Sequence, residues 1–378
     1  MTIIKKIFFL SLLILFISLL FWGVYNLSFK KNSSETEEND TEKITTPITK
    51  EQPNIKAITD EAVIAPVFTP DGNFIKYYSK QTGKVFKIDL EGMGKSAISD
   101  QELIGLEDVI WSPDKNKVIT KFVRTNGEVQ FFYYDYETKT GMPIKKNVDE
   151  IAWQANSNKI FYKHFDPVSK KRTLNISNPD GTEWKNLADI DYRKVSVSQV
   201  PKSGLVSFWN YPDSFTETSL ESVPVISGER KKLFGGKFGA DYLWNDAGTY
   251  ALLSYVDEEG GSRMNSAIIN YNGGEFRDIG VPTFVSKCVW SKDNKTIYYA
   301  LPGGISNNAV LPNEYEGGKV ITTDTFWKID ITTGEKTRII DISKIDDKID
   351  ASHPFLNSDE SILFFTNKVD GKIYRISL

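Results

Sequence analysis

Apolar residues follow two different patterns along the chain. Between Ile7 and Leu27 they form a single run that contains no charged residue, and about 20 apolar residues at roughly 1.5 Å per residue are enough to cross the roughly 30 Å hydrocarbon core of a bilayer. After residue 55 they occur in short runs rich in Val, Ile, Phe and Tyr that are separated by polar turns, which is typical of β-strands. The sequence therefore predicts a transmembrane helix followed by a nearly all-β domain.

The β-rich part contains a repeated unit. Each unit starts with an anchor residue, usually aromatic, and continues with a polar turn and an apolar run, as in VFTPDGNFIKYYS from Val67 and IWSPDKNKVITKF from Ile110. The anchors lie 43, 42, 46, 45, 46 and 65 residues apart, at Phe68, Trp111, Trp153, Gln199, Trp244, Trp290 and Phe355. Four antiparallel strands repeated about every 40 to 50 residues are typical of β-propeller blades. We therefore predict a seven-bladed β-propeller of four-stranded antiparallel blades over residues 55–378, with the anchors packed between blades.

The two ends of the repeat array are predicted to pair with each other. The last unit ends at Leu378 after its third strand, so it lacks a fourth. The segment IKAIT at Ile55 resembles KSAIS at Lys95, which is read as the outer strand of the first unit. We expect the N-terminal segment to supply the missing strand of the last blade, because this pairing removes the open edge that a linear array would expose.

The repeats resemble those of a known family. The lines WSPDKNKVI, FTPDGNFIKYYS and WSKDNKTIYY are similar to the tryptophan–Ser/Thr–Pro–Asp–Gly–Lys pattern of TolB-type propeller repeats, and the likeness covers residues 65–378. This resemblance implies the propeller fold. It implies several functions at once, because such propellers occur as periplasmic scaffolds, as lids beside prolyl-oligopeptidase hydrolase domains, and as sensors or carbohydrate-processing modules. A G-x-S-x-G hydrolase elbow is absent from the sequence.

The N-terminal apolar run is read as an uncleaved membrane anchor. A cleaved signal peptide is the alternative, but its apolar region is normally about 7 to 15 residues long and ends at a small-residue site, and no A-x-A pattern follows Leu20. Lys5 and Lys6 favour a cytoplasmic N-terminus. Lys30 and Lys31 on the other flank favour the opposite orientation. The predicted domains are an anchor over 1–31, a flexible acidic linker over 32–54 and a propeller over 55–378, held outside the cytoplasm.

Composition excludes several classes of function. The formal charge is −4, from 46 basic and 50 acidic residues, which supplies no field for holding a nucleic acid. One cysteine, Cys288, excludes an intramolecular disulfide and a cysteine-based zinc cluster. The two histidines, His164 and His353, exclude a multi-histidine metal site. We expect neither a cofactor nor a resident metal.

Long loops are predicted on one face of the propeller. In units three to six the loops between the second and third strands are longer than in the other units, and the longest runs from Leu301 to Thr325. Because binding sites are usually built from loops on a rigid scaffold, we expect this face to bind a partner; neutral variation of surface loops is the alternative. Tyr211, Phe215 and Tyr315 are the predicted contacts, since aromatic side chains are favoured at recognition hot spots. Removal of the longest loop is expected to leave the fold intact.

Charged residues are predicted at the mouth of the central channel on the same face. The position three residues before the anchor is acidic in three units, at Asp108, Glu150 and Asp241, and is Lys287 in the sixth. These acids could converge on a cation or a basic group, with Lys287 as a counter-charge. A pair of them could also perform acid–base chemistry as in glycosidases. A solvated, charged channel mouth without a ligand is the alternative.

Two functions from different classes follow from these observations. The first is a non-enzymatic, membrane-anchored scaffold or sensor of the cell envelope that recognises a protein, peptide or glycan through the long-loop face. The second is an envelope hydrolase or lyase that acts on carbohydrate through the carboxylates of the channel mouth. The arrangement of the three carboxylates discriminates between them, because paired catalytic carboxylates lie about 5 to 10 Å apart around their substrate.

Overall fold

The computed structural model describes residues 54–345 and 348–378. The predicted membrane helix over Ile7 to Leu27 and the predicted linker up to residue 53 lie outside these residues. The described chain is almost entirely antiparallel β-structure, with one short helix, α1 (Asn313–Glu316), and 3₁₀ turns at Val285–Lys287 and Ile342–Lys344. No helix within 54–345 and 348–378 is long and apolar enough to cross a bilayer. The prediction of an all-β domain is confirmed.

The first three sheets each contain four consecutive strands. The first sheet is formed by β2 (Val63–Phe68), β3 (Phe74–Ser79), β4 (Val85–Asp89) and β5 (Ser96–Ser99). The second sheet is formed by β6 (Leu106–Trp111), β7 (Lys117–Val123), β8 (Val129–Asp135) and β9 (Thr140–Pro143). The third sheet is formed by β10 (Val148–Trp153), β11 (Ile160–Phe165), β12 (Arg172–Ser177) and β13 (Lys185–Asp189).

The next sheet contains seven strands and is followed by two more sheets of four. Its strands are β14 (Val195–Gln199), β15 (Leu205–Asn210), β16 (Glu217–Pro224), β17 (Lys231–Trp244), β18 (Tyr250–Val256), β19 (Met264–Asn270) and β20 (Arg277–Asp278). The following sheet is formed by β21 (Cys288–Trp290), β22 (Thr296–Gly303), β23 (Thr323–Asp330) and β24 (Lys336–Arg338). The last sheet, called the closing sheet here, is formed by β25 (Ala351–Leu356), β26 (Ile362–Asn367), β27 (Ile373–Ser377) and β1 (Ile55–Ala57).

Strand β17 joins two halves of the seven-stranded sheet. Its first part pairs with β16 and its last part, from Asp241 onward, pairs with β18. The register shifts between Phe238 and Asp241, where Gly239 has a φ of 56°. A Cβ atom on Gly239 would lie 2.5 Å from Cδ of Pro312, so only glycine allows both this conformation and the close approach of the 301–325 segment.

The two ends of the described chain pair with each other, as predicted. Strand β1 is antiparallel to β27, with Lys56 opposite Arg375. Beyond β1, the amide of Ile58 donates to the carbonyl of Ile373 at 2.9 Å. The amide of Ile373 in turn donates to the hydroxyl of Thr59 at 3.0 Å. The edge of β27 is therefore covered by the start of the domain.

Consecutive sheets pack on each other through separate apolar clusters. Val85 of the first sheet and Val118 of the second are buried in one such cluster. The closing sheet packs on the first sheet, where Phe68 and Phe355 meet edge to face at 5.2 Å between ring centroids and Phe364 is fully buried. The order of packing therefore returns to its starting point, as in a closed ring.

The anchor tryptophans pack between neighbouring sheets. The Nε1–H group of Trp111 donates to the carbonyl of Ala65 in the first sheet at 2.9 Å. In the same way, Trp153 donates to the carbonyl of Ile110 in the second sheet at 2.9 Å. An indole that buries its ring and satisfies its N–H contributes both apolar area and a hydrogen bond. The predicted packing role of these two anchors is confirmed.

Candidate functional site

β-Bulges occur in the strands that carry five of the seven anchors, a few residues before the anchor. The register shifts lie between Ile64 and Val67, Leu106 and Asp108, Val148 and Glu150, Phe238 and Asp241, and Ser352 and Phe355. Within them, Ala65 and His353 have positive φ values of 48° and 49°. A bulge bends its strand and changes the direction of its side chains. The three predicted acids, Asp108, Glu150 and Asp241, thus lie at a recurring backbone feature that the sequence did not reveal.

A cavity of about 160 Å³, called the mouth cavity here, lies beside two of these bulges. It draws residues from the seven-stranded sheet, the closing sheet, the 3₁₀ turn before β21 and helix α1. Its polar lining includes Ser196, Tyr211, Asp241, Ser286, Glu316 and His353. Asp241, a predicted mouth position, and Tyr211, from a predicted long loop, therefore line the same cavity.

Asp241 is the predicted acid that lines the mouth cavity. Its Oδ1 atom accepts hydrogen bonds from Trp209 Nε1 at 2.9 Å and from the amide of Tyr242 at 3.0 Å. Burial raises the pKa of Asp241 to about 6, although these two hydrogen bonds lower it. The negative charge of Glu316 adds to the increase. Burial lowers the pKa of His353, although the charge of Glu316 opposes this change. The cavity therefore offers hydrogen-bond acceptors to a ligand group that donates.

Asp108 and Glu150 lie in adjacent bulges but do not line the mouth cavity. Burial raises the pKa of Glu150 to about 8, Lys121 opposes this, and the charge of Asp108 contributes to the increase. The pKa of Asp108 is also raised, because the surrounding protein removes part of the water around its carboxyl group. The side chain nevertheless remains exposed to solvent. Within the described ranges, no group of three or more His, Cys, Asp or Glu side chains is placed to hold a metal ion.

The predicted role of Lys287 as a counter-charge to these acids is wrong. Its side chain is fully buried, and Nζ lies 2.6 Å from Oδ2 of Asp324 and 2.7 Å from Oδ1 of Asp350. Nζ also donates to the hydroxyl of Thr322 at 3.0 Å and to the carbonyl of Ala351 at 2.9 Å. The reason is local: a 3₁₀ turn replaces the bulge in this unit and directs the lysine between two sheets, where a buried cation needs anionic partners.

The predicted exposure of Tyr315 is also wrong. Its side chain is 1% exposed in helix α1, and its ring stacks on Phe284 at 4.1 Å between centroids. The hydroxyl donates to Oδ1 of Asp350 at 2.9 Å, and Nζ of Lys368 lies 3.7 Å from the ring centroid. Burial is therefore the physical reason why this tyrosine cannot contact a partner directly.

The segment from Leu301 to Thr325 packs back on the domain instead of forming a free loop. Oδ1 of Asn313 accepts the amide of Ser214 at 2.8 Å, and Nδ2 of Asn313 donates to Asp213 at 2.9 Å. Because Asp324 is one of the two carboxylates that pair with buried Lys287, we now expect removal of the segment to destabilise the fold, contrary to the expectation from the sequence.

Two other predicted contacts are exposed, as expected. The side chain of Tyr211 is 45% exposed and lines the mouth cavity. Phe215 is 55% exposed but does not line that cavity. The sequence analysis missed Glu316, which contributes an acid to the cavity from the segment that carries Tyr315. The signal available for it was an acidic side chain next to an aromatic residue in the longest loop.

Removing the carboxyl of Glu150 is expected to flatten the dependence of stability on pH. The folded protein retains a proton on Glu150 up to a pKa of about 8, against an ordinary value of 4.5, so this group makes stability fall as pH rises between those values. In Glu150→Gln, the free energy of unfolding should fall less between pH 5 and pH 8 than in the parent. Denaturant titrations at several pH values measure this. Glu128→Gln, at an exposed position, should keep the parent slope; equal slopes for all three proteins would contradict the burial of Glu150.

Comparison with known proteins identifies the fold. No family model matches the sequence, and no curated protein matches it. Among solved structures, an oligogalacturonate lyase in complex with manganese has 12% sequence identity with this chain and a TM-score of 0.60. The match covers 86% of this chain and 93% of the lyase chain. The β-propeller domain of the Trilobed protease from Pyrococcus furiosus has 14% sequence identity and a TM-score of 0.53, and the match covers 83% of this chain and 94% of that domain. TolB from Acinetobacter baumannii has 12% sequence identity and a TM-score of 0.46, and the match covers 72% of this chain and 62% of the TolB chain.

These similarities define a class of protein. The four-stranded antiparallel sheets, the packing of each sheet on the next and the matched structures show that the described part of the chain has a β-propeller fold. At 12% and 14% identity, the structural matches show the fold alone.

Proposed function

We propose that this protein is a non-enzymatic binding protein of the cell envelope, anchored to the membrane through Ile7 to Leu27. In this proposal residues 1–31 form the anchor, 32–54 a flexible acidic tether, and 55–378 a seven-bladed propeller outside the cytoplasm. The count of seven treats the seven-stranded sheet as two blades that meet at β17. The uncharged run in the sequence supports the anchor, and the pairing of β1 with β27 supports a ring closed by its own ends.

The mouth cavity is the single observation that carries the binding proposal. It is a built pocket: its walls come from two sheets, a 3₁₀ turn and helix α1, and hydrogen bonds from Trp209 and Tyr242 hold Asp241 in place. Its volume of about 160 Å³ fits one side chain, one terminal group or part of a sugar ring rather than a large ligand. Asp241 and Glu316 supply acceptors, and exposed Tyr211 supplies an aromatic edge. The expected ligand is therefore a protein, peptide or glycan that presents ammonium or hydroxyl groups.

A carbohydrate lyase or hydrolase is the second candidate. The observation that favours it is the pair of raised carboxyl pKa values, about 8 at Glu150 and about 6 at Asp241, because a general acid needs a pKa near the working pH. Against it, Glu150 and Asp108 do not share the mouth cavity with Asp241. Catalytic carboxylates must flank one substrate bond, so this arrangement favours binding over catalysis.

Substitution of the cavity residues tests the binding proposal. The full-length protein in lipid nanodiscs is used to capture ligands from an envelope extract of the source organism. Asp241→Asn and Tyr211→Ala are each expected to reduce capture at least about 10-fold, because each removes a group that faces the ligand. Phe215→Ala is the matched control, since it removes an exposed aromatic ring outside the cavity. All variants should keep the parent melting temperature.

The outcome of the same experiment separates the two candidates. Capture that is unchanged in Asp241→Asn and Tyr211→Ala would reject the mouth cavity as the binding site. The second arm incubates the full-length protein with oligogalacturonate and records ultraviolet absorbance, because β-elimination creates a conjugated double bond. An increase that disappears in Glu150→Gln would establish the lyase and displace the binding proposal.

A further inference from the structure

A second cavity, much larger than the mouth cavity, lies between the first and second sheets. It has a volume of about 860 Å³, and we call it the Arg124 groove. Its floor is one face of the second sheet, formed by alternate residues of β7, β8 and β9. These are Thr120 and Phe122; Gln130, Phe132 and Tyr134; and Gly141 and Pro143. Side chains at every second position of a strand share one face of the sheet, so the floor is continuous.

The groove is open because the first sheet covers only part of this face, around Val85 and Val118. Gly141 lies opposite Tyr134 in the β8–β9 register and has no side chain to fill the space between the sheets. Strand β5 is only four residues long, and the chain that follows it lines the groove with Leu103 and Ile104. Ile104 is 85% exposed, which places an uncovered apolar side chain at the rim. The second and third sheets, and the third sheet and the seven-stranded sheet, bury larger apolar clusters between them.

The walls of the groove are apolar and aromatic. Phe122 and Phe132 meet edge to face at 5.6 Å between centroids on the floor. Tyr78 and Tyr136 close the inner end of the groove, which is the end farther from Arg124 and Gln130, and their hydroxyl oxygens lie 2.6 Å apart there. These two hydroxyls satisfy each other, so the inner end offers a ligand mainly ring surface. Pockets of several hundred Å³ with such walls and a few polar groups are typical sites for small apolar ligands.

Arg124 is the one charged side chain among the residues that line the groove. Its Nη2 atom donates to Oε1 of Gln130 at 2.6 Å. In the described part of the chain, no carboxylate forms an ion pair with it. A guanidinium group has five N–H donors in a planar fork that matches a carboxylate. The groove thus combines an apolar floor with one unpaired cation at its outer end.

We propose that the Arg124 groove binds a long-chain carboxylate, a monoanionic amphiphile of the fatty-acid type. Its carboxylate meets Arg124, and its chain lies along β8 toward Tyr136. The path from Gln130 to Tyr136 is about 20 Å at roughly 3.3 Å per residue, long enough for an extended acyl chain. A neutral lipid would give the guanidinium no anionic partner, and a peptide would bring backbone groups that this floor, with few free polar atoms, does not satisfy. This site is independent of the mouth cavity and of the function proposed for it.

Photo-crosslinking tests the proposal on the full-length protein in phosphatidylcholine nanodiscs. The probe is a long-chain carboxylate with a diazirine in its chain, and mass spectrometry locates the label. We expect labelling at Tyr78, Val85 or within residues 99–143, which together line the groove. Dodecanoate should displace the probe about 10-fold more effectively than dodecanol, because a hydrogen bond to a charged partner contributes this much. In Arg124→Gln, the preference of the site for dodecanoate over dodecanol should disappear.

Matched substitutions at Ile104 distinguish an effect of charge on ligand binding from a loss of binding caused by misfolding. Ile104→Asp should weaken labelling about 10-fold by repelling the carboxylate, whereas Ile104→Lys should retain or strengthen it. Val168→Asp, at a position 91% exposed on the β11–β12 loop, should behave as the parent. Labelling that misses Tyr78, Val85 and residues 99–143, equal displacement by both competitors on the parent, or equal effects of Asp and Lys at position 104 would each overturn the proposal. A preference for dodecanoate that survives Arg124→Gln would overturn it as well.

Discussion

Replacing Lys287 with alanine is expected to lower the free energy of unfolding by about 3–5 kcal/mol. The substitution leaves Asp324 and Asp350 buried without their cation, which lies 2.6 Å and 2.7 Å from them in the parent. Burial raises the pKa of Asp350, but the charge of Lys287 and its hydrogen bond outweigh burial and hold this pKa below its usual value. Denaturant titration of the full-length protein at neutral pH measures the loss.

Two companions to this substitution make it decisive. Lys319→Ala removes an exposed lysine from the same segment and should change the free energy of unfolding by less than about 0.5 kcal/mol. Lys287→Met combined with Asp324→Asn and Asp350→Asn removes all three charges and should recover much of the loss. If Lys287→Ala destabilises no more than Lys319→Ala does, the buried charge network is not formed.

Replacing Ile58 with proline is expected to cost about 3 kcal/mol or more. Ile58 is 4% exposed, and its amide donates to the carbonyl of Ile373 at 2.9 Å, next to the β1–β27 pair. Proline removes both the donor and the packed side chain. Because this contact joins the beginning of the domain to its last sheet, its loss should also increase amide hydrogen exchange across residues 373–377.

Ile58→Val provides the matched comparison. It keeps the amide donor and shortens the side chain by one methylene, so it should cost about 0.5–1.5 kcal/mol. Hydrogen exchange over β27 should then remain close to that of the parent. Equal losses for proline and valine, with β27 equally protected in both, would show that the pairing near Ile58 contributes nothing to closure.

The fold could be predicted from the sequence because its signals are local and repeated. The apolar run from Phe74 and the anchor Trp111 are recognisable within a few residues, and the same pattern recurs in the other units. The pairing of β1 with β27 was also predictable, since the segment at Ile55 resembles the segment at Lys95 that forms β5. Repetition thus supplied long-range information that one unit alone does not contain.

The candidate site was predictable only in part, because side-chain burial depends on distant residues. Alignment placed Lys287 beside the three acids, but its partners Asp324 and Asp350 come 37 and 63 residues later in the chain. Tyr315 lies in the longest loop, and loop length does not reveal that the segment folds back on Phe284. Asp241 was found because its bulge recurs at the expected position, although the bulge itself has no sequence signal in this chain.

A disulfide cross-link between the two ends tests the central claim, which is that the ring is closed by pairing β1 with β27. Lys56 and Arg375 are opposite each other in this pair, and facing Cα atoms in antiparallel strands lie about 4.5–5.5 Å apart, within the range of a disulfide. The double variant Lys56→Cys/Arg375→Cys should form this link under mild oxidation, as a joined peptide in mass spectrometry. The control pair Lys56→Cys/Lys170→Cys should not. A folded double variant without the link, or a link equally frequent in the control, would contradict the closed ring.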